Sequence, residues 1–194
     1  GSGSLQQQIE NGAPVDIFIS AAQKQIDELD KKNLLVKTSK VNLLKNEVVL
    51  VTPISSKLAI KSYKDLVNKN VITIGIGEPK SVPAGQYSIE IFNKLGISEK
   101  IISKLVYGKD VRTILSWVET GNVDAGIVYK TDAISSDKVK VVSTAPKDSH
   151  TLVIYPAAIV SDSKLQNESK KFLKFQKRKK AIDIFIKFGF SPIK

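Results

Sequence analysis

The sequence contains no cysteine and no methionine, and it has a single histidine, His150. Without cysteine, the chain can form no disulfide, no thiolate metal site and no cysteine nucleophile. One histidine excludes a His-rich metal cluster and makes a Ser–His–Asp triad a poor interpretation. We expect His150 to serve in a hinge or loop rather than in catalysis. Apolar runs stay well short of the roughly 20 residues that a membrane-spanning helix needs.

Acidic residues are scarce relative to basic ones, with 19 Asp and Glu against 30 Lys and Arg and a net charge of +11. This excess permits a polyanionic partner, an anionic membrane surface, or a small anion steered by the overall field. The lysines are dispersed except for one dense basic run at residues 177–180. Aromatic residues are not interleaved with them as a single-strand stacking platform requires. We therefore predict no nucleic-acid partner.

Short β-branched runs alternate with helical stretches, which indicates an α/β protein with parallel sheets. The predicted strands are residues 15–20, 46–51, 71–74, 104–108, 123–129, 139–143 and 152–160. The C-terminal region reads as two lysine-rich helices, 165–175 and 180–188. Their apolar positions are expected to dock onto a core: Phe172, Leu173, Phe175, Ile182 and Phe185.

Two long extended segments, 46–51 and 152–160, bracket the middle of the chain. A middle lobe inserted into a first lobe through two crossing strands would produce this layout. The first lobe is then discontinuous and comprises residues 1–51 and 153–194. The inserted second lobe comprises residues 52–152.

The stretch 75–87 is a candidate anion-binding segment. It follows a predicted strand and leads into a helix, and Pro83 suits the first helical position because its missing N–H would have had no intrahelical partner. Ala84 and Gly85 follow, so backbone N–H groups lie at the positive end of the helix dipole without a bulky side chain over them. Such a terminus is suited to binding an anion, and a plain strand-to-helix turn is the alternative interpretation of this segment.

Three further positions offer neutral donors of the same kind. Ser2 lies just before the first helix, Val111 begins another helix behind the predicted N-cap Asp110, and Tyr129 closes a strand. Neutral donors suit a fully dehydrated dianion, whereas a lysine or arginine clamp would discriminate less among phosphate-like groups. Arg112 is expected to pair at the surface with Asp110 or Glu119.

The sequence does not favour an enzyme. Four carboxylates are candidates for acid–base chemistry, but nothing pairs them with a nucleophile or a metal: Glu78, Asp110, Glu119 and Asp124. We interpret each as a helix cap or a solvated surface charge. Gly75-Ile76-Gly77 lacks the third glycine of a dinucleotide fingerprint. We predict no catalytic residues and no cofactor.

Several long motifs together resemble the periplasmic molybdate-binding proteins, and the similarity runs nearly from end to end. They cover residues 2–21, 77–85, 110–112, 126–129, 149–150 and 155–160. The resemblance implies a two-lobed, type II periplasmic-binding-protein-like fold that closes on molybdate or tungstate. It implies anion contacts from Ser2, from the backbone N–H groups of Ala84 and Val111, and from the Tyr129 hydroxyl. Molybdenum or tungsten would be held only as the oxyanion, through these same residues.

The resemblance also implies partners and a location. An extracytoplasmic binding protein of this family delivers its oxyanion to the membrane permease of an ABC transporter, and whether a lipid anchors it is left open. An oxyanion-sensing domain of a transcription regulator is the alternative, since it can use the same fold. Selection among molybdate, tungstate and sulfate must rest largely on cavity size.

Two departures from the family pattern lead to further expectations. The family begins with a strand, a serine-bearing loop, a helix and a second strand upstream of Ser2, and neither these nor a signal segment is in this chain. We therefore expect an exposed sheet edge and a tendency to dimerise through it. Residues 174–180 are also more basic than the usual join between the last two helices.

Overall fold

The computed structural model describes residues 1–193, which form two compact units. The middle unit comprises Gly1 and Glu47–Leu152, and the terminal unit comprises Ser2–Asn46 and the chain from Val153 onward. The chain therefore passes from the terminal to the middle unit at Asn46–Glu47, earlier than the expected boundary after residue 51. The strand Val48–Pro53 pairs with two strands of the middle unit, and this pairing places it there.

Helices and strands alternate along most of the described chain. The α-helices are α1 (Ser2–Glu10), α2 (Gln23–Lys31), α3 (Pro83–Lys94), α4 (Ser98–Ile101), α5 (Val111–Glu119), α6 (Lys130–Ala133), α7 (Gln166–Gln176) and α8 (Lys179–Lys187). The strands are β1 (Ile17–Ile19), β2 (Val41–Lys45), β3 (Val48–Pro53), β4 (Ile74–Gly77), β5 (Leu105–Gly108), β6 (Ala125–Tyr129), β7 (Val139–Thr144), β8 (Ile154–Ile159) and β9 (Ser191–Pro192). Short 3-10 helices span Lys37–Ser39, Tyr63–Val67 and Ile102–Lys104.

The middle unit is built on a five-stranded mixed sheet with the order β5-β4-β6-β3-β7. β4 runs parallel to both β5 and β6, whereas β3 is antiparallel to β6 and β7. The expectation of parallel sheets is thus correct for three strands only. Parallel neighbours need a crossover connection, and helices supply it between β4, β5 and β6.

The position of β4 differs from the prediction. The strand was expected at residues 71–74, but it spans Ile74–Gly77. Gly75 and Gly77, which were expected in the loop, therefore belong to the sheet. β4 lies between β5 and β6 and is buried along its whole length, and a Cβ on Gly75 would lie 3.2 Å from the Ile114 side chain of α5. Glycine is therefore used here because neighbouring helices approach the strand backbone closely.

Asp124 links the beginnings of two of these strands. Its carboxylate accepts hydrogen bonds from the backbone N–H groups of Ile72 at 2.7 Å and Thr73 at 2.9 Å. The Asp124 N–H in turn donates to the Thr73 carbonyl oxygen at 3.0 Å. The carboxylate is thus a structural clamp between the segments that lead into β4 and β6.

The terminal unit contains a four-stranded sheet with the order β1-β8-β2-β9, and the described pairs are antiparallel. Pro156 lies inside β8 although proline cannot donate to a ladder. The β2 strand is irregular between Asn42 and Leu44, directly opposite Pro156 and Tyr155, so the register shifts where the N–H is missing. β1 is a short edge strand, and Ile19 is exposed on it.

The C-terminal helices only partly match the expectation that their apolar residues dock onto a core. Leu173 and Phe185 contact the cluster formed by β2 and β8, and Ile182 is half-buried. Phe172 and Phe175 instead lie on the outer side of α7, with 48% and 39% of their surface exposed. Within residues 1–193, no helix has the length and apolar character needed to cross a bilayer.

The packing of α3 against β4 gives a stability prediction. A Cβ on Gly85 would overlap the carbonyl oxygen of Gly77 and lie 3.1 Å from the Pro79 nitrogen, so the backbone would have to move. Overpacking of this kind costs typically 1–3 kcal/mol, so we expect Gly85→Ala to lower the free energy of unfolding by at least about 2 kcal/mol in urea denaturation.

Lys94→Ala, at the exposed end of the same helix, is the matched control and should stay within about 0.5 kcal/mol of the unmodified chain. Equal stability of the Gly85→Ala and Lys94→Ala variants would show that the close approach is unimportant.

Candidate functional site

The carboxyl ends of three parallel strands meet at one edge of the middle unit's sheet. β5, β4 and β6 are neighbours in that order and end at Gly108, Gly77 and Tyr129. Each is followed by a segment that leads into a helix. In open α/β sheets this edge is where ligands bind, because loops and helix N-termini converge there.

The first helix N-terminus at this edge is that of α3. Pro83 is its first residue, and the N-cap Val82 contributes no side-chain hydrogen bond. Ala84 is buried in the first turn, where α-helical N–H groups have no intrahelical partner. Gly85 allows this turn to lie directly against the end of β4. The arrangement presents backbone N–H groups, rather than side chains, at the strand end.

The second helix N-terminus is that of α5, and Asp110 caps it as predicted. The carboxylate accepts from the Thr113 N–H and hydroxyl, each at 2.8 Å. Burial raises the pKa of Asp110, but the Thr113 hydrogen bonds and nearby positive charge outweigh it and hold the pKa below its ordinary value. Val111 is the first residue of the helix, so its N–H lies in the same turn and at the same positive end of the dipole.

Tyr129 ends β6 at the same edge. The residue is 3% exposed, and it is also the N-cap of the short helix α6. A buried tyrosine combines an apolar ring with one hydroxyl that can donate to an anion. The structure therefore brings Ala84, Val111 and Tyr129 to neighbouring strand ends of one sheet.

Ser2 belongs to the terminal unit. It is the first residue of α1, rather than preceding the helix as expected, and it is buried. Its Oγ accepts a hydrogen bond from the Ala21 N–H at 3.1 Å. A serine hydroxyl that accepts in this way still has its own O–H proton to donate.

Arg112 is not engaged as predicted. Its Nη1 donates to the Ser135 hydroxyl at 3.4 Å, and its positive charge acts on the carboxylate of Asp132. The expected surface pair with Asp110 or Glu119 is therefore wrong, because the side chain runs from α5 toward α6. In this structure the guanidinium thus donates a hydrogen bond to the hydroxyl of Ser135.

Two of the other candidate carboxylates, Glu78 and Asp124, have structural partners. Glu78 Oε1 accepts a hydrogen bond from the Lys80 N–H at 3.3 Å. The Asp124 carboxylate accepts hydrogen bonds from the segment that leads into β4. In the part of the chain that the structure describes, no group of three His, Asp or Glu residues could hold a metal ion. His150 packs its ring against Tyr87, with centroids 5.5 Å apart, and its Nδ1 contacts the Thr151 carbonyl oxygen.

The sequence reading missed Asp132. This residue is half-buried in α6. Burial raises the pKa of its carboxyl group above the ordinary value, while the backbone N–H groups at the start of the helix and the charge of Arg112 act in the opposite direction. The signal was available, because an acidic residue three positions after an N-cap is typical of a helix start.

Comparisons with known proteins agree with this architecture. The family described as "Bacterial extracellular solute-binding protein" matches residues 1–191. YvgL of Bacillus subtilis, provisionally named as an ABC transporter substrate-binding lipoprotein, is 44% identical over 98% of this chain and 72% of its own length. The molybdate-binding protein ModA of Haemophilus influenzae is 39% identical over 98% of this chain and 76% of its own.

A solved structure supports the fold. The periplasmic molybdate-binding protein of Azotobacter vinelandii aligns with a TM-score of 0.88 over all of this chain and 85% of its own, at 23% identity. This likeness confirms the predicted type II periplasmic-binding-protein fold, and the family is one of binding proteins rather than enzymes. From the extent of the family match and the identity to its relatives, this chain belongs to the bacterial extracellular solute-binding proteins.

Proposed function

We propose that this chain binds molybdate outside the cytoplasm and delivers it to the membrane permease of an ABC transporter. The observation that supports this best is the set of neutral donors at one sheet edge: the helix N-termini at Ala84 and Val111 and the hydroxyl of Tyr129. Relatives named as molybdate-binding and as ABC transporter proteins support this choice of anion and partner.

The donor types fit a tetrahedral dianion that has lost its water. Backbone N–H groups and a phenol supply hydrogen bonds without a mobile counter-charge, and helix dipoles favour the negative charge. Hydrogen phosphate has an O–H group that needs an acceptor, and donors alone leave it unpaired, which is costly when buried. The set therefore favours fully deprotonated oxyanions such as molybdate, tungstate and sulfate.

Ser2 completes the proposed ligand set. Its place rests on the resemblance to the family, supported by a buried hydroxyl whose oxygen already accepts from Ala21. Tungstate has the same charge and shape as molybdate, and we propose it as a second ligand of the same residues. A lipid anchor and the dimer through the β1 edge stay predictions, and the comparisons give the dimer no support.

The alternative function, an oxyanion-sensing domain of a transcription regulator, is not favoured. The family description and the named relatives are solute-binding and transport proteins.

Calorimetric titration with molybdate, tungstate, sulfate and phosphate tests the ligand class. We expect molybdate and tungstate to bind most tightly, sulfate more weakly because it is smaller, and phosphate least, with the preference against phosphate increasing as its protonated fraction rises. Tighter binding of phosphate than of molybdate, or no binding of either metal oxyanion, would contradict the proposal.

Tyr129→Phe tests the proposed hydroxyl donor. A hydrogen bond to a charged group contributes roughly 1.5–3 kcal/mol, so the substitution should weaken molybdate binding on the order of ten- to a hundredfold. Tyr107→Phe, which alters an exposed tyrosine of β5, is the matched control and should leave the dissociation constant unchanged. Equal affinities for the two variants would remove Tyr129 from the site.

Arg112→Ala tests whether a positive side chain holds the anion. Because Arg112 donates to Ser135, we expect slower association with a weaker salt dependence and little change in dissociation. Stopped-flow fluorescence of the single tryptophan, Trp117 of α5, can follow both rates. An affinity loss of several kcal/mol from faster dissociation would instead indicate a direct charge clamp.

A further inference from the structure

The positive charge of the chain is concentrated in its last two helices. Residues 164–187 contain nine Lys and Arg against two acidic residues, Glu168 and Asp183, which is +7 of the net charge of +11. Among the ion pairs of residues 1–193, the only one formed in this region joins Lys179 to Asp183 at 2.8 Å. The other positive side chains of the region therefore have no acidic partner among the described residues.

Three of these lysines share one face of α7. Lys170, Lys174 and the C-cap residue Lys177 follow one another at the spacing of neighbours on a helix surface. All three are exposed, and like charges at this spacing destabilise a helix. A negatively charged partner on this face would remove that repulsion.

The three lysines also line a groove with apolar walls. Val41 of β2, Ile159 of β8 and Leu173 of α7 face the same cavity, which has a volume of about 260 Å³. Ile159 and Leu173 are buried, so the apolar groups lie deeper than the lysine ammonium groups. We call these six residues the basic groove.

A neighbouring depression adds exposed apolar surface. Lys177 of the basic groove also faces a second cavity, together with Ile182 and Phe185 of α8. Ile186 lies one helical turn beyond Ile182 on the same side of α8, and 54% of its surface is exposed. Lysines beside an exposed isoleucine are typical of protein surfaces that lie in the interface of an anionic bilayer.

We propose that the basic groove and Ile186 bind the anionic headgroup layer of a phospholipid bilayer. The lysines contact the phosphates, and Ile186 enters the boundary between headgroups and acyl chains. The contact is separate from the anion site of the middle unit and does not depend on which anion the chain carries. A binding protein that delivers its ligand to a membrane permease gains from lying at the membrane surface.

Two features favour a bilayer over an acidic protein or a nucleic acid. The region carries eight lysines and one arginine, and lysine is a flexible point charge rather than the planar fork that pairs with a fixed carboxylate. Flexible charges suit a headgroup layer whose phosphates are mobile. Ile186, in addition, gains free energy from burial in lipid but none from contact with a charged polymer.

Co-sedimentation with phosphatidylglycerol vesicles tests the contact. Each lysine near an anionic membrane strengthens binding about fivefold, so the triple variant Lys170→Gln, Lys174→Gln, Lys177→Gln should bind roughly a hundredfold more weakly. The matched control is Lys64→Gln, Lys69→Gln, Lys100→Gln, which removes three exposed lysines of the middle unit and leaves the same net charge. It should retain most of the binding. Salt should weaken binding of the unmodified chain, and phosphatidylcholine vesicles should not bind it.

Equal losses in the two triple variants would overturn the inference, because net charge alone would then explain binding. Absence of vesicle binding by the unmodified chain would also overturn it. So would binding to polyglutamate without binding to vesicles, which would assign the basic groove to an acidic protein segment.

A fluorescent label tests the role of Ile186. Because the chain has no cysteine, Ile186→Cys creates a single position for a polarity-sensitive fluorophore. Its emission should shift to the blue on phosphatidylglycerol vesicles, whereas the same label at Ile102→Cys, an exposed position of the middle unit, should not respond. No shift at position 186, or equal shifts at both positions, would overturn the inference. Failure of the unmodified chain to bind molybdate, with vesicle binding present, would contradict the proposed function and leave the membrane contact intact.

Discussion

The close approach of the α3 N-terminus to the end of β4 is the constraint on which the candidate site depends. Gly85 and Gly77 meet there backbone to backbone, and neither position has room for a Cβ. A larger residue would move the helix away from the strand and carry the N–H of Ala84 with it. Because dipole effects are confined to the first turn, such a displacement would weaken the attraction for an anion placed at the strand end.

Hydrogen-bond donors also lie at the same edge of the sheet where β5 and β6 end. Val111 follows β5 behind the Asp110 cap, and Tyr129 ends β6, so three neighbouring strands of one sheet each contribute one group. Their relative positions are set by a buried core and by sheet hydrogen bonds rather than by long side chains. Donors held this way lose little conformational entropy when an anion binds, which favours tight binding of a small ligand.

The net charge of +11 has a different role from the donors. Dispersed lysines raise the local concentration of any anion and speed association, but they are screened by salt and do not distinguish one oxyanion from another. Arg112, the arginine nearest to a donor in sequence, is bonded to Ser135. We therefore propose that neutral groups supply the affinity and selectivity of the site and that the dispersed charge only speeds capture of the anion.

Much of this could be predicted from the sequence, since local patterns encode it. Pro83 at the first position of α3 and Asp110 as the cap of α5 follow from the chemistry of helix starts. The register of β4 could not be predicted, because Gly75 and Gly77 resemble a loop until helices α3 and α5 are packed against them. The partner of Arg112 was missed for a similar reason, since Ser135 and Asp132 lie far along the chain and become neighbours only through the fold.

The most direct test is a crystal structure of the chain grown with molybdate, with the molybdenum located by its anomalous scattering. We expect the metal at the carboxyl ends of β4, β5 and β6, with its oxygens within hydrogen-bonding distance of the Ala84 and Val111 N–H groups and the Tyr129 hydroxyl. Molybdenum found instead among lysine side chains, for example at the basic run 177–180, would contradict it.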